Sequence, residues 1–333
     1  MTDRLDAPAA DRAVPKAELH VHLEGTAPPE LIRRLAKRNG VPVPEGVFKT
    51  ENQFAWKDFL DFLRTYDLAA SVIRTPEDYR DVTFEYLASC AADGAIYVEV
   101  IASPDHAAAV GLSDADHYAG IAQGIDDARA AHGIEARIVI AAVRNLGVEA
   151  AEAIVRRHAD DRHPYVVGFN LVGDEAAWSA SLFARTYEIA AGSGLGCTVH
   201  AGEHAGPASV RAALELPITR MSHGVRAIED PALVAELAER AIVLEVCPSS
   251  NVALGLYPSY ADHPLGALRE AGVRVTLGSD DPPYFGCSIA SEYAVAHERF
   301  GLDEGKLMGV TRTALEGAFA DDVLKELLLA RIP

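Results

Sequence analysis

Residues 17–26 read AELHVHLEGT, an alternation of apolar and polar side chains that carries two imidazoles, His20 and His22. In a β-strand successive side chains point to opposite faces, so residues two apart share a face. His20 and His22 then stand side by side, a ready ligand pair for a transition metal such as zinc. Taken alone, a His-x-His tripeptide is more often an incidental strand end. Further ligands at the ends of other strands decide between the two readings.

Seven more runs rich in Val and Ile follow the first, which spans 17–23. They lie at 97–102, 136–143, 166–172, 196–201, 220–225, 242–247 and 274–278. Helical patterns at 114–132, 148–158, 176–191, 208–216, 231–240 and 264–271 separate them. Strands alternating with helices at this spacing indicate βαβ units and a parallel sheet. Eight such strands favour a closed (β/α)8 TIM barrel, for which about 250 residues or more is an ordinary length. No Gly-x-Gly-x-x-Gly follows the first strand to support a doubly wound dinucleotide fold instead.

Between the first two strands, Pro28 and Pro29 open a helix to Asn39, stopped by Gly40, and 41–49 reads as a loop. Two amphipathic segments, 56–73 and 76–93, come next; Thr75 and Asp78 head the second as a variant capping box. These are expected as extra helices inserted after the first strand, over the C-terminal mouth of the barrel. Residues 288–331 would supply closing helices.

The chain has 333 residues, 49% of them apolar, and its uninterrupted apolar runs are far too short to cross a bilayer. Residues 1–14 mix Asp, Arg, Ala and Pro without an apolar signal core, so a frayed tail, a single domain over 15–333 and a cytoplasmic location are expected. A formal charge of −19 repels a phosphate backbone, which argues against nucleic acid as a partner. Cys90, Cys197, Cys247 and Cys287 are widely spaced and suggest neither disulfides nor a thiolate metal site.

In such barrels the reactive groups stand at the C-terminal strand ends, which line one open mouth. The fifth strand ends TVHAGE, with His200 and Glu203; the sixth ends MSHGV, with His223; the eighth ends LGSDDPP, with Asp280 and Asp281. A single strand-end His is more often structural, but the conjunction of so many polar residues at one mouth is not. His106, His117, His132, His158, His163, His204, His263 and His297 fall in expected loops or helices and read as structural, although His204 abuts the TVHAGE turn. A divalent metal on nitrogen and oxygen ligands lowers the pKa of a coordinated water towards neutrality. Glu203 could then donate a proton to the electrophile, and His223 could orient or deprotonate the water. Asp280 could be ligand and base together, and Asp281 a substrate contact. The residues by themselves lead to a metal-dependent hydrolase.

Six blocks carry a more specific likeness: PKAELHVHLEG from Pro15, VGFNLVGDE from Val167, TVHAGE from Thr198, SHGVRA from Ser222, EVCPSSN from Glu245 and SDDPPYFG from Ser279. In sequence and order they resemble the adenosine deaminase family of amidohydrolase-type zinc barrels. The resemblance implies one zinc per chain held by His20, His22, His200 and Asp280, with a water as fifth ligand. It implies that Glu203 protonates the purine N1 during attack at C6 while His223 steadies the attacking hydroxide. Asp281 would meet N7, and the Gly173 backbone N–H would meet N3. Glu24, His22, Phe59 and Leu60 complete the expected substrate contacts, with Phe62 and Leu63 either joining an apolar gate or, for Phe62, serving as helix core. The Pro-Cys-x-x-Cys signature of the other zinc deaminase class is missing.

Two departures bear on the substrate. Glu24 stands where the family usually has an Asp that touches the ribose 5′-hydroxyl, and this form also resembles adenine and aminodeoxyfutalosine deaminases. FNLVGDE replaces the usual IDLAGDE, and the retained Gly173-Asp174-Glu175 leans towards adenosine. The expectation is therefore deamination of adenosine, and of 2′-deoxyadenosine, to inosine and ammonia in purine metabolism, with adenine or 6-aminodeoxyfutalosine as the alternative substrate. A catalytically silent purine-binding barrel should have lost a ligand or the acid. A binuclear phosphoester or lactone hydrolase should carry a bridging carboxylate or Lys on the fourth strand, and 166–172 contains no Lys.

Overall fold

Eight parallel strands follow one another around a barrel in the computed structural model, which describes residues 14–333. They are Lys16–His22, Ala95–Ala102, Glu135–Val143, Val166–Val172, a fifth strand in two pieces (Gly196–Cys197 and His200–Ala201), Arg220–His223, Val243–Val246 and Arg274–Leu277. The two pieces of the fifth strand join the halves of the sheet. Gly196–Cys197 pairs with the fourth strand and His200–Ala201 with the sixth. Between them, Thr198 N–H donates to Phe169 O (3.0 Å) and Ser222 N–H to Val199 O (2.9 Å). The other seam closes where Val21 bridges Asp280: Asp280 N–H donates to His20 O (3.1 Å) and His22 N–H to Asp280 O (2.9 Å). The expected (β/α)8 barrel is the fold, and its closing bridge lies among the expected metal ligands.

Strands of a barrel wrapped in helices are buried on both faces and read as apolar runs. Ala95–Ala102, AIYVEVIA, is buried at every position. The interior nevertheless holds charge. Arg220 reaches Glu99 Oε2 and Glu245 Oε1, both at 2.7 Å, and its guanidinium lies 3.6 Å from the centroid of Phe319. A buried arginine is tolerated when it is paired in this way. Gly168 and Gly196 make room for the Phe319 ring, which a Cβ at either position would meet within 2.4 Å.

The helices start and stop where local chemistry dictates. Thr75 and Asp78 form the expected reciprocal capping box on Pro76–Ala92, and Gly133 ends Asp114–His132 in the left-handed conformation. The inserted helix is Phe59–Ala70 rather than 56–73, because Asp58 caps it by accepting from Asp61 N–H at 3.0 Å. Part of the expected loop 41–49 enters a small hairpin, Phe48–Thr50 with Gln53–Phe54. The expected helix 176–191 becomes a 3-10 turn, Ala180–Phe183, followed by the helix Ala184–Gly192. Glu304–Gly317 packs on the first and eighth strands, covering the seam. The tail expected over residues 1–14 lies outside the described residues except for Val14, which is buried. Among the described residues the cysteines are free, and no helix is long and apolar enough to cross a membrane.

Candidate active site

Four donor groups converge at the mouth where the barrel closes. His20 Nε2 and His22 Nε2 lie 3.1 and 3.2 Å from His200 Nε2, and 3.3 and 3.2 Å from Asp280 Oδ1. The strand period puts the first two imidazoles together, and the closing bridge at Val21 brings Asp280 alongside them. His223 and Asp280 both have φ of +62°, a conformation that non-glycine residues adopt where surrounding structure holds them. His20, His200, His223 and Asp280 are all buried.

The partners behind these ligands orient them. His20 Nδ1 lies 3.0 Å from the Glu245 carbonyl, which can only accept, so Nδ1 carries the proton and Nε2 presents a lone pair to the cluster. His200 Nδ1 faces Asn170 Oδ1 at 3.1 Å; Asn170 Nδ2 donates to Ser222 Oγ (3.1 Å), and Ser222 donates to Glu245 Oε2 (2.7 Å). Burial, then the neighbouring His20 and His22, push the His200 imidazole well below its ordinary pKa, so it is neutral. Bare imidazole nitrogens facing one another at 3.1 Å with a carboxylate beside them repel unless a cation is shared among them. Three imidazoles and one carboxylate with such outer partners fit a borderline divalent ion.

Glu203 and Asp281 complete the polar wall. Burial, followed by the negative charge of Asp280 and Glu175, raises the Glu203 carboxyl well above the carboxylate range. Burial, followed by Asp280, Glu203 and Glu24, does the same for Asp281. Asp281 Oδ1 is buried without a hydrogen-bond partner, and the side chain lines the cavity. The turn that carries Glu203 is gripped by Glu175, which accepts from the N–H groups of Gly202 (2.9 Å), Glu203 (2.8 Å) and Ala205 (2.7 Å) and from Ser209 Oγ (2.5 Å). Arg144, fully buried, ties His200 O (2.7 Å) to Leu171 O (3.1 Å).

These groups open onto a cavity of about 210 Å³ that is also lined by Glu24, Gly173 and one face of the inserted helix: Phe59, Phe62, Leu63, Tyr66 and Asp67. Residues three, four and seven apart share a helix face. Leu60, expected in the gate, is one position off that face; it is 63% exposed and does not line the cavity. Phe62 is both core and lining. Gly173 has φ of +100°, and a Cβ there would meet Asn145 Oδ1 at 2.3 Å. Glu24 is buried: it accepts from Tyr66 OH (3.2 Å), Tyr79 OH (3.5 Å) and Ser103 N–H (3.1 Å).

Three histidines expected to be structural belong to this region. His106 lines the cavity and pairs with Asp67 Oδ1 at 2.8 Å. His204 stacks on Phe59, with centroids 3.8 Å apart, and its Nε2 is 3.6 Å from Glu203 Oε1. His263 meets Asn251, whose amide meets His223. Asn170, Ser222, Glu245, Asn251, Arg144 and Glu175 escape a reading confined to strand ends. The signal available for all but Arg144, which directly follows the third strand outside every motif block, was a polar residue inside an otherwise apolar strand or a motif block.

The family model for adenosine deaminase matches residues 15–333. An adenine deaminase of Agrobacterium fabrum is 47% identical over 318 residues, 95% of this chain and 97% of that protein. The crystal structure of an adenine deaminase from Arthrobacter aurescens superposes with a TM-score of 0.89 at 30% identity, covering 95% of this chain and 97% of that one. An amidohydrolase from Burkholderia ambifaria, solved with bound zinc, gives 0.87 at 27% identity, covering 99% and 93%. Alike in sequence and in fold over nearly its whole length, this chain belongs to the adenosine deaminase family and is a metal-dependent aminohydrolase.

Proposed function

We propose that the protein hydrolyses adenine to hypoxanthine and ammonia. The observation that carries this reading is the enclosure of Glu24. Its carboxylate faces the cavity but is already held by two tyrosine hydroxyls and a backbone N–H. A carboxylate has about four acceptor sites. The remaining capacity suits one donor of the substrate, in this reading the N9–H of a free base where a nucleoside would offer its ribose 5′-hydroxyl. Ligand cavities commonly run to roughly 300–1,000 Å³. At about 210 Å³ this one lies below that range, in keeping with a bare purine. The similar proteins from Agrobacterium, Sinorhizobium and Chelativorans, 47–48% identical, carry the name adenine deaminase, which lends further support.

The adenosine preference expected from Gly173-Asp174-Glu175 loses its footing on physical grounds. Asp174 Oδ1 accepts from the N–H groups of Ala176 and Ala177 (3.0 and 3.1 Å), and Glu175 grips the 202–205 turn. Both carboxylates are engaged in building the site and carry no information about ribose.

In this reading His20, His22, His200 and Asp280 hold one divalent ion, and the zinc bound in the Burkholderia amidohydrolase supports zinc. The ion, when bound, makes a water acidic enough to attack at neutral pH. Glu203, kept protonated by its burial, gives its proton to N1, so that addition at C6 does not build an anion on the ring. Asp280, with Oδ2 held by Ser250 Oγ at 2.6 Å, accepts a proton from the attacking water and returns it to the departing amine. The carbon–nitrogen bond breaks, ammonia leaves, and the proton remaining on the new C6 hydroxyl passes to the Glu203 carboxylate, leaving a C6 carbonyl beside N1–H and the acid restored. Asp281, also kept protonated, donates to N7, and the Gly173 N–H meets N3. Residues 15–333 act as one domain, the span of the family model supporting this. Relative kcat/KM for adenine and adenosine tests the substrate assignment.

A further inference from the structure

The Leu265 backbone N–H, which can only donate, lies 3.2 Å from His263 Nδ1. That nitrogen is therefore the acceptor of the imidazole, and Nε2 bears the proton. His263 Nε2 meets Asn251 Oδ1 at 3.0 Å, which leaves the Asn251 amide nitrogen, a donor only, facing His223 Nδ1 at 3.2 Å. With a backbone donor at its head, each link has one direction. The proton of a neutral His223 then stands on Nε2, the nitrogen 3.5 Å from Glu203 Oε1 and 4.0 Å from Asp280 Oδ2.

We propose that His263, acting through Asn251, fixes the proton of His223 on Nε2 and makes His223 a hydrogen-bond donor into the site instead of a base. His263 does not line the cavity, so it is a positioning residue. Its ring is clamped edge-on by Tyr257 (centroids 5.0 Å apart) and Phe300 (5.7 Å). Burial pushes its pKa down to about 4, so a second proton does not compete for the link. With Nδ1 of His223 occupied by the Asn251 amide, the proton of the attacking water goes to Asp280. This last step rests on the deaminase reading; the position of the His223 proton does not.

Nitrogen-15 NMR of the zinc-loaded full chain, labelled at histidine and assigned against His223→Gln, reads the proton directly. The expected result is a protonated Nε2 in the wild type, moved to Nδ1 in Asn251→Asp, whose carboxylate only accepts. A misplaced imidazole proton costs hydrolases up to about 10⁴ in kcat, so His263→Leu should lose roughly tenfold or more in kcat with KM and metal content close to wild type. His263→Gln keeps a donor for Asn251 and should stay within about threefold. A wild-type proton on Nδ1 would overturn the proposal, as would a His263→Leu enzyme with unchanged kcat or one that has lost its metal. If His263→Leu does not fold, the wild-type and Asn251→Asp spectra decide. Absence of wild-type turnover on any purine would count against the deaminase reading and leave the spectra to judge this one.

Discussion

His20 Nε2 and His200 Nε2 face each other across 3.1 Å, each with its other nitrogen turned to an acceptor: the Glu245 carbonyl and Asn170 Oδ1. Two lone pairs at that separation need a shared cation. Chelation should therefore abolish activity, and one equivalent of zinc per chain should restore it. Saturating metal at about 100 times its Kd should add about 2.7 kcal/mol of stability. Titration followed by metal analysis and thermal unfolding checks both; a stoichiometry of two would contradict the site as drawn.

Asn170 ties the His200 ring to the Ser222–Glu245 pair. Removing it in Asn170→Ala frees the His200 ring to turn. Outer partners of this kind are worth about 10- to 100-fold in metal affinity. Competition with a chromogenic chelator should show a loss of that size, in a protein that still folds.

Glu203→Gln keeps the shape and hydrogen-bonding reach of the acid but not its proton. Its kcat should fall by about 10²- to 10⁴-fold, the range for a general acid, while bound metal stays at wild-type level. Activity within a few-fold of wild type would remove Glu203 from the acid role.

Glu292 gives a pH signature away from the metal ligands. Burial raises its carboxyl from 4.5 to about 7, partly opposed by its bond from Ser249 N–H, and Oε1 has no partner. Because the folded pKa lies above the unfolded one, the folded state holds more protons between pH 4.5 and 7. Stability from this group is complete below that window and declines as pH rises through it, by at most about 1.4 kcal/mol per pH unit. Glu292→Gln should flatten the decline and be the more stable form at pH 8, as measured by urea unfolding with metal at one fixed saturation.

How much of this was readable beforehand depends on what a side chain reports. His20 and His22 sit on a strand whose alternation is local, so their shared face follows from spacing two apart. The strand-end polars His200, His223, Asp280 and Asp281 follow once eight strands are counted. Asn170, Ser222 and Glu245 are different: each is a polar residue inside an apolar strand, and its meaning is a partner 23 to 52 residues away that only strand register and the curvature of the sheet bring near. Leu60 failed for a local reason, since the Asp58 cap sets the helix phase that turns it outward. The leaning towards adenosine rested on Asp174 and Glu175 as substrate markers, and in the structure both accept from backbone N–H groups.

The substrate is the central claim, and the ratio of kcat/KM for adenine to that for adenosine, measured on zinc-loaded protein by loss of absorbance at the adenine band, tests it most directly. A site whose buried polar groups are matched to one substrate rejects its unmatched analogue by about 10²-fold or more. The enclosure of Glu24 by Tyr66, Tyr79 and Ser103 predicts a ratio at least that large in favour of adenine. A ratio near one, or turnover of adenosine ahead of adenine, would contradict it.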